Sequence, residues 1–309
     1  MRFQDFFSTR LVTRLGLFLA KHMPRRVGYG LAHMAAHMIA RRKPEVYGTV
    51  RGNLRQIIGP EVNESALHDM TRQVFAHAGQ TYYDFFHAIG QPPEILGQAV
   101  HIPQSLFMHI NSGMARGRGV LLLGIHMSNF DLVMLTLGAH GLPSQVLTVA
   151  DPQAGFYVLN RLRVKAGFEV TPITPESLRA AVHRLRNGGL VITAGDRPVL
   201  EDRELITFFG RPAYLPLGPA RLAMMSEATI LIGSCHYDPH DGYVVDVTGP
   251  IEMVLTGDWR RDMLANTSRL ATVLEGYVRA HPEQWMMFYP LWPEGPVVSA
   301  EGSSPLASG

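Results

Sequence analysis

The feature that most constrains the fold is the apolar run Val120-Leu-Leu-Leu-Gly-Ile125, which stops at His126-Met-Ser-Asn-Phe-Asp131 and resumes as an apolar stretch from Leu132 to Leu137. A short run without polar alternation reads as a strand buried on both faces, and the stretch after the turn reads as a helix. The same grammar recurs from about residue 101 onward. Candidate strands are Val120 to Ile125, Gln145 to Val149, Glu169 to Ile173, Leu190 to Ala194, Ile230 to Tyr237 and Tyr243 to Val247. Helices fit Leu132 to Gly138, Gly155 to Ala166, Ser177 to Arg186 and Gly218 to Ser226. Strands alternating with helices imply an α/β fold with a mostly parallel central sheet flanked by helices.

Before residue 98 the pattern is helical: Val27 to Arg41, Pro44 to Ile58 and Ser65 to Ile89. The domain reading is therefore a helical amino-terminal region over 1–98, an α/β core over 99–295 and a disordered tail over 296–309, rich in Ser, Gly and Ala. Charge is uneven along the chain. Residues 1–55 hold eleven Lys or Arg against Asp5 and Glu45, which is +9 within a chain of net +2. A basic end points to an anionic partner surface, membrane or nucleic acid. Phe3, Phe7, Leu11, Leu15 and Phe18 recur at near-helical spacing, with Arg10, Arg14 and Lys21 among them. That is an amphipathic basic helix of the kind that lies in a membrane interface, or else a core helix whose arginines reach solvent. Because the phenylalanines belong to the apolar stripe and do not form a stacking groove, nucleic acid is not the expected partner. No stretch of 18 or more uncharged apolar residues is present, so a conventional transmembrane span is not expected. Nor does the start read as a cleavable signal.

A strand-to-helix turn carrying His, Ser, Asn and Asp is where open α/β sheets place their chemistry, beyond the strands' carboxyl ends. On one straight helix, residues five apart point about 140° away from each other. If His126 lies on the turn instead, Asp131 in the first helical turn can face back to the imidazole, fix its tautomer and leave the other nitrogen as a base. The competing reading is a capping box, with Ser128 as N-cap and Asp131 at N3. A second charged pair, Asp196-Arg197, follows the strand Leu190 to Ala194 and shares the crevice if the two strands are parallel neighbours. Cys235, the single cysteine, excludes an intramolecular disulfide and falls in an apolar run, where a buried, inert thiol is expected. His33 and His37 lack a third metal ligand, and His236, Asp238, His240 and Asp241 read as turn chemistry, so no metal site is expected.

Taken in order, His126-x4-Asp131, Gly195-Asp-Arg197, Phe208-Phe-Gly-x-Pro-Ala213 with Pro216 and Gly218-Pro-Ala220, and His281-Pro-Glu-Gln-Trp285 resemble the lysophospholipid acyltransferase superfamily. The branch resembled is that of the lipid A biosynthesis acyltransferases and the phosphatidylinositol mannoside acyltransferases. Arg51-Gly-Asn-Leu-Arg55 and Tyr82-Tyr-Asp-Phe-Phe86 are similar too. The resemblance implies acyl transfer from a thioester, acyl-CoA or acyl carrier protein, to a glycolipid hydroxyl, with no cofactor beyond that co-substrate. It implies His126 as general base and Asp131 as its partner, with N–H groups near Ser128 and Asn129 on the oxyanion. Arg163, Asp196 and Arg197 are the expected substrate contacts, the arginines through phosphates. The null alternatives are a solvated helix face for Arg163 and an ion pair with Asp196 for Arg197. The mannoside branch implies a glutamate at Glu201 or Glu204. Where lipid A enzymes continue past Glu-Gln-Trp with His-Arg-Arg, this chain has Met286-Met-Phe-Tyr-Pro-Leu-Trp292, which favours a glycosylated phospholipid acceptor over a lipid A precursor. The expected place is peripheral, on the cytoplasmic face of the bacterial inner membrane. The rival from another class is a non-catalytic lipid-binding membrane protein.

Overall fold

The computed structural model of the 309-residue chain describes residues 23–89, 91–149, 154–197 and 203–293. The basic stripe from Phe3 to Phe18, Glu201 and the 296–309 tail lie outside them. Within them, six strands form one sheet in the order β3-β2-β4-β1-β7-β8. Here β1 is Val120–Gly124, β2 Ser144–Thr148, β3 Glu169–Pro172, β4 Leu190–Ala194, β7 Thr229–Asp238 and β8 Gly242–Ile251. The first five strands in that order pair in parallel, and β8 closes the edge antiparallel to β7. The α/β expectation with a mostly parallel sheet thus holds.

The uninterrupted apolar character of β1 has a direct cause. Leu121 and Leu123 point to one face and pack in the larger core with residues of the amino-terminal helices, while Val120 and Leu122 point to the other face. Successive strand side chains alternate faces, so a central strand covered on both sides needs apolar residues throughout.

Numbered over the described residues, the amino-terminal helices are α1 (Arg25–Arg42), α2 (Glu45–Ile58), α3 (Glu64–Ala88) and the short α4 (Pro93–Leu96). α1 lays a stripe of Gly28, Ala32, Ala36 and Ala40 against α3. The approach is close: a Cβ on Gly28 would meet the Tyr83 ring at 2.4 Å, and one on Gly79 would meet Ala32 at 2.8 Å. Asp84 then ties three elements together. Its carboxylate accepts from Tyr29 of α1 at 2.5 Å and from Tyr243 of β8 at 2.7 Å, with Arg25 at 3.6 Å. The boundary expected near residue 98 falls between α4 and the next helix, yet one buried cluster runs from Ala36 through Leu123 to Leu291.

The remaining helices are α5 (Gln104–Ala115), α6 (Phe130–Ala139), α7 (Ala154–Lys165), α8 (Pro175–Arg186), α9 (Gly218–Ser226) and α10 (Trp259–Ala280). Two of them, α5 and α10, are absent from the sequence reading. α10 is amphipathic over 22 residues, burying Met263, Leu270, Leu274 and Val278, and it starts at Asp258, whose side chain caps the Arg261 N–H. α8 starts at Pro175, two residues earlier than its apolar pattern indicates, because Thr174 caps it and proline is well placed at the first helical position. Strands β5 (Arg203–Phe208) and β6 (Arg211–Pro216) form a separate antiparallel hairpin that is also absent from the sequence analysis, where Phe208 to Pro216 enter as a motif and Glu204 as a candidate site residue.

Candidate active site

Register decides where the chemistry lies. Gly124, the last residue of β1, pairs with Ala194, the last of β4, and two residues further along each chain stand His126 and Asp196. Gly195 permits this convergence: its N–H donates to the Gly124 carbonyl at 3.0 Å, and a Cβ there would meet Leu123 at 2.9 Å. Asp196 reaches His126 twice. Its Oδ1 lies 2.7 Å from the imidazole Nδ1, and its Oδ2 accepts the His126 backbone N–H at 2.9 Å. The Trp285 indole N–H donates to the same Oδ2 at 2.9 Å. The carboxylate is fully buried while the imidazole is 23% exposed. Burial alone would raise the Asp196 pKa, but the His126 charge and the three hydrogen bonds outweigh it and hold the group below its usual value. Phe130 sets its ring edge-on to the imidazole at 5.1 Å. One nitrogen is fixed by a buried anion, and such an arrangement leaves Nε2 as the ring nitrogen that can take up a proton.

This geometry corrects the sequence expectation for Asp131. Its carboxylate faces α7 and pairs with Arg163 Nη2 at 2.6 Å, both side chains being largely buried. Arg163 Nη1 donates to Asn160 Oδ1 at 3.1 Å. Arg163 is thus a strut between α6 and α7, neither on a solvated face nor turned wholly toward a phosphate. The helix cap is also displaced by one residue: Asn129, not Ser128, caps α6 by accepting the Leu132 N–H.

Ser128 and Asn129 do not serve as expected either. Ser128 is fully buried and Asn129 nearly so. The Ser128 N–H is committed to the Gln284 carbonyl at 2.9 Å. The Asn129 amide donates to the Thr81 carbonyl at 3.1 Å, and its backbone N–H is directed at the Cys235 thiol. Both residues hold the turn and do not line the crevice. Cys235 is buried, and desolvation pushes its pKa up to about 12, in keeping with an inert thiol.

Arg197 lies over the Tyr289 ring, 3.9 Å from its centroid, and donates to its hydroxyl at 2.5 Å. The Asp196 carboxylate goes to His126 and Trp285, and the competing reading of Arg197 as its ion-pair partner gives way to this contact with Tyr289. Tyr82 lies in the field of the same Tyr289. Although the residue is 44% exposed, desolvation of its hydroxyl and the fields of Asp131 and Tyr289 push its pKa up to about 12. Glu204 sits on the separate hairpin and faces Arg260 at 3.3 Å; nothing brings it to His126. Asp238, the last residue of β7, accepts the N–H groups of His240 and Asp241 in the β7–β8 turn, whereas His236, expected with them, lies within β7 opposite Val244. Among the described residues no group of three or more His, Cys, Asp or Glu is placed to hold a metal ion.

The segment 284–289 completes the site. Met286 N–H donates to the His126 carbonyl at 2.9 Å, so this segment and the turn donate to each other's carbonyls. The Gln284 side chain grips the Tyr237 backbone from both sides, at 2.7 and 3.0 Å. Asn53, within the Arg51–Arg55 block, donates from its buried amide to the carbonyls of Met287 and Tyr289. In the sequence the Gln-Trp pair carries only a family resemblance, because the role of a tryptophan N–H as carboxylate donor depends on where the strand ends meet.

A parallel α/β sheet with a histidine and a buried carboxylate side by side at adjacent strand ends defines a class of site suited to removing a proton from a substrate. The comparisons narrow it. Residues 7–294 match the family described as bacterial lipid A biosynthesis acyltransferase, and the chain belongs to that family. It is 28% identical over 188 residues to phosphatidylinositol mannoside acyltransferase of two strains of Mycobacterium tuberculosis, covering 60% of this chain and 58% of the relative. It is 25% identical over 284 residues to the protein of that name from Mycolicibacterium smegmatis, covering 90% and 89%.

Proposed function

We propose that the chain is a peripheral membrane O-acyltransferase that moves a fatty acyl group from acyl-CoA or acyl carrier protein to a hydroxyl of a glycosylated phospholipid such as a phosphatidylinositol mannoside. The observation that carries this reading is the His126 Nδ1 contact to buried Asp196 at 2.7 Å. Asp196 here takes the orienting role that the sequence pattern assigned to Asp131. His126 Nε2 accepts the acceptor hydroxyl proton as the oxygen attacks the thioester carbonyl, and the same proton then leaves with the thiol. The amino terminus of α6 at this end of the sheet lends positive partial charge to the developing oxyanion. Arg197, stacked on Tyr289, supplies a fixed cation for a phosphate of donor or acceptor.

Membrane association is supported by α1. Val27, Leu31, Met34 and Met38 form an exposed stripe at helical spacing, between 44% and 53% accessible, with exposed Arg26, Arg41, Arg42 and Lys43 at its ends. A basic helix with a bare apolar stripe suits an anionic bilayer surface, here assigned to the cytoplasmic face of the bacterial inner membrane. Among the described residues no helix is long and apolar enough to cross a membrane.

The test is mass spectrometry of products from purified protein, labelled palmitoyl-CoA or palmitoyl carrier protein, and a panel of phosphatidylinositol mannoside, lipid A precursor and lysophospholipid. One acylated mannoside, lost in His126→Ala by roughly 10²- to 10⁴-fold in rate, is the expected result. Acylation of the lipid A precursor instead would replace the acceptor. Full complementation of a deletion strain by His126→Ala would replace catalysis with a lipid-binding role.

A further inference from the structure

Ser128 lies two residues past the proposed base, and its backbone adopts a left-handed φ of 47°. For a serine that conformation is strained and persists only where the surroundings impose it. Two contacts from distant segments do so. The Ser128 N–H is held by the Gln284 carbonyl. Its hydroxyl, which has no solvent exposure, meets Nε2 of His77 at 3.0 Å, from the middle of α3. The His77 ring packs at 6.5 Å against Tyr237, the residue whose backbone Gln284 grips. Desolvation, with a further contribution from His281, lowers the His77 pKa to about 4, so the ring is neutral near pH 7 and offers a fixed donor or acceptor to the hydroxyl. On the other side of that hydroxyl lies the Cys235 thiol. Three elements distant in sequence therefore converge on one serine that contacts no crevice.

We propose that His77 is a positioning residue for the reaction: its hydrogen bond to Ser128 holds the turn in the conformation that seats the His126 imidazole on Asp196. His77 touches no reacting atom and acts through the backbone between Ser128 and His126. The inference rests on the reading of His126 as general base.

The test compares His77→Ala, His77→Gln, Ser128→Ala and the His77→Ala/Ser128→Ala double variant, with His126→Ala in parallel, by steady-state kinetics and thermal melting. A turn displaced by about 1 Å costs on the order of a hundredfold in kcat, and His77→Ala should show that loss. KM for donor and acceptor should stay within about twofold, because no substrate contact is removed. His77→Gln, whose neutral side-chain amide can reach the same hydroxyl, should recover most of kcat. Ser128→Ala should match His77→Ala, and the double variant should fall no further than either, since both break one interaction. A His77→Ala enzyme that melts lower but keeps kcat overturns the proposal, and so does a Ser128→Ala enzyme with unchanged kcat. If His126→Ala itself retains turnover, the base assignment fails instead.

Discussion

Among the described residues two histidine–aspartate pairs have nearly equal length. His126 meets Asp196 at 2.7 Å and His236 meets Asp246 at 2.8 Å. In the first, the carboxylate is fully buried and anchored by an indole and a backbone N–H, and the imidazole is partly open. In the second the exposures are reversed: Asp246 is 49% accessible and His236 only 17%, its ring stacked on His281 at 4.5 Å. The Nδ1 of His236 forms no well-directed hydrogen bond despite the short separation. Proximity of the two residue types is therefore a poor guide. What makes a base is a carboxylate that cannot turn away and an imidazole with one nitrogen facing the opening.

The largest effect expected from breaking this contrast comes from Asp196→Asn. The amide is the same size but carries no charge to fix the tautomer, and a misoriented base should lower kcat by about 10²-fold, measured with the acceptor proposed above. The same variant has a pH signature. Because the folded Asp196 titrates below its ordinary value of 3.8, it contributes stability above that pH and loses it as pH falls through the lower folded value. Denaturant melts should show a wild-type advantage over Asp196→Asn that is constant near neutrality and shrinks below about pH 4. Trp285→Phe removes one hydrogen bond to a buried anion and should cost about 1.5–3 kcal/mol of unfolding free energy, with a smaller loss of kcat than Asp196→Asn. Asp246→Asn, at a half-exposed pair, should change stability by less than about 1 kcal/mol and leave kcat unchanged within error. A loss of kcat there comparable to that of Asp196→Asn would erase the distinction between the pairs.

The same contrast shows what sequence can convey. The β1 run was readable because a strand covered on both faces has no freedom to be polar, and the turn after it was readable because strand ends collect chemistry. The partner of His126 was not. Asp131 is five residues away and Asp196 seventy, and only the parallel register of β1 with β4 makes the distant residue the neighbour. Asp196-Arg197 is placed beside His126 by the sequence, yet the carboxylate bonds the imidazole while the guanidinium stacks on Tyr289. Helix α10 went unread because polar residues crowd between its buried positions, and the β5–β6 hairpin because its residues were absorbed into a motif. His77 carries no sequence signal at all, since a histidine on an amphipathic helix is unremarkable until the serine opposite it is known.

The staple between the His126 turn and residues 284–289 has a consequence for how the enzyme comes into being. A ribosome has made β1, β4 and the whole pair His126–Asp196 well before it reaches Trp285, so the nascent chain carries the reacting histidine without the indole and the carbonyls that lock it. The site is complete only when residues 284–289 emerge and pack back, where Asn53 of α2 holds the Met287 and Tyr289 carbonyls and Gln284 holds Tyr237 of β7. Until then the nascent chain has no indole donor on Asp196 and no Gln284 carbonyl on the Ser128 N–H.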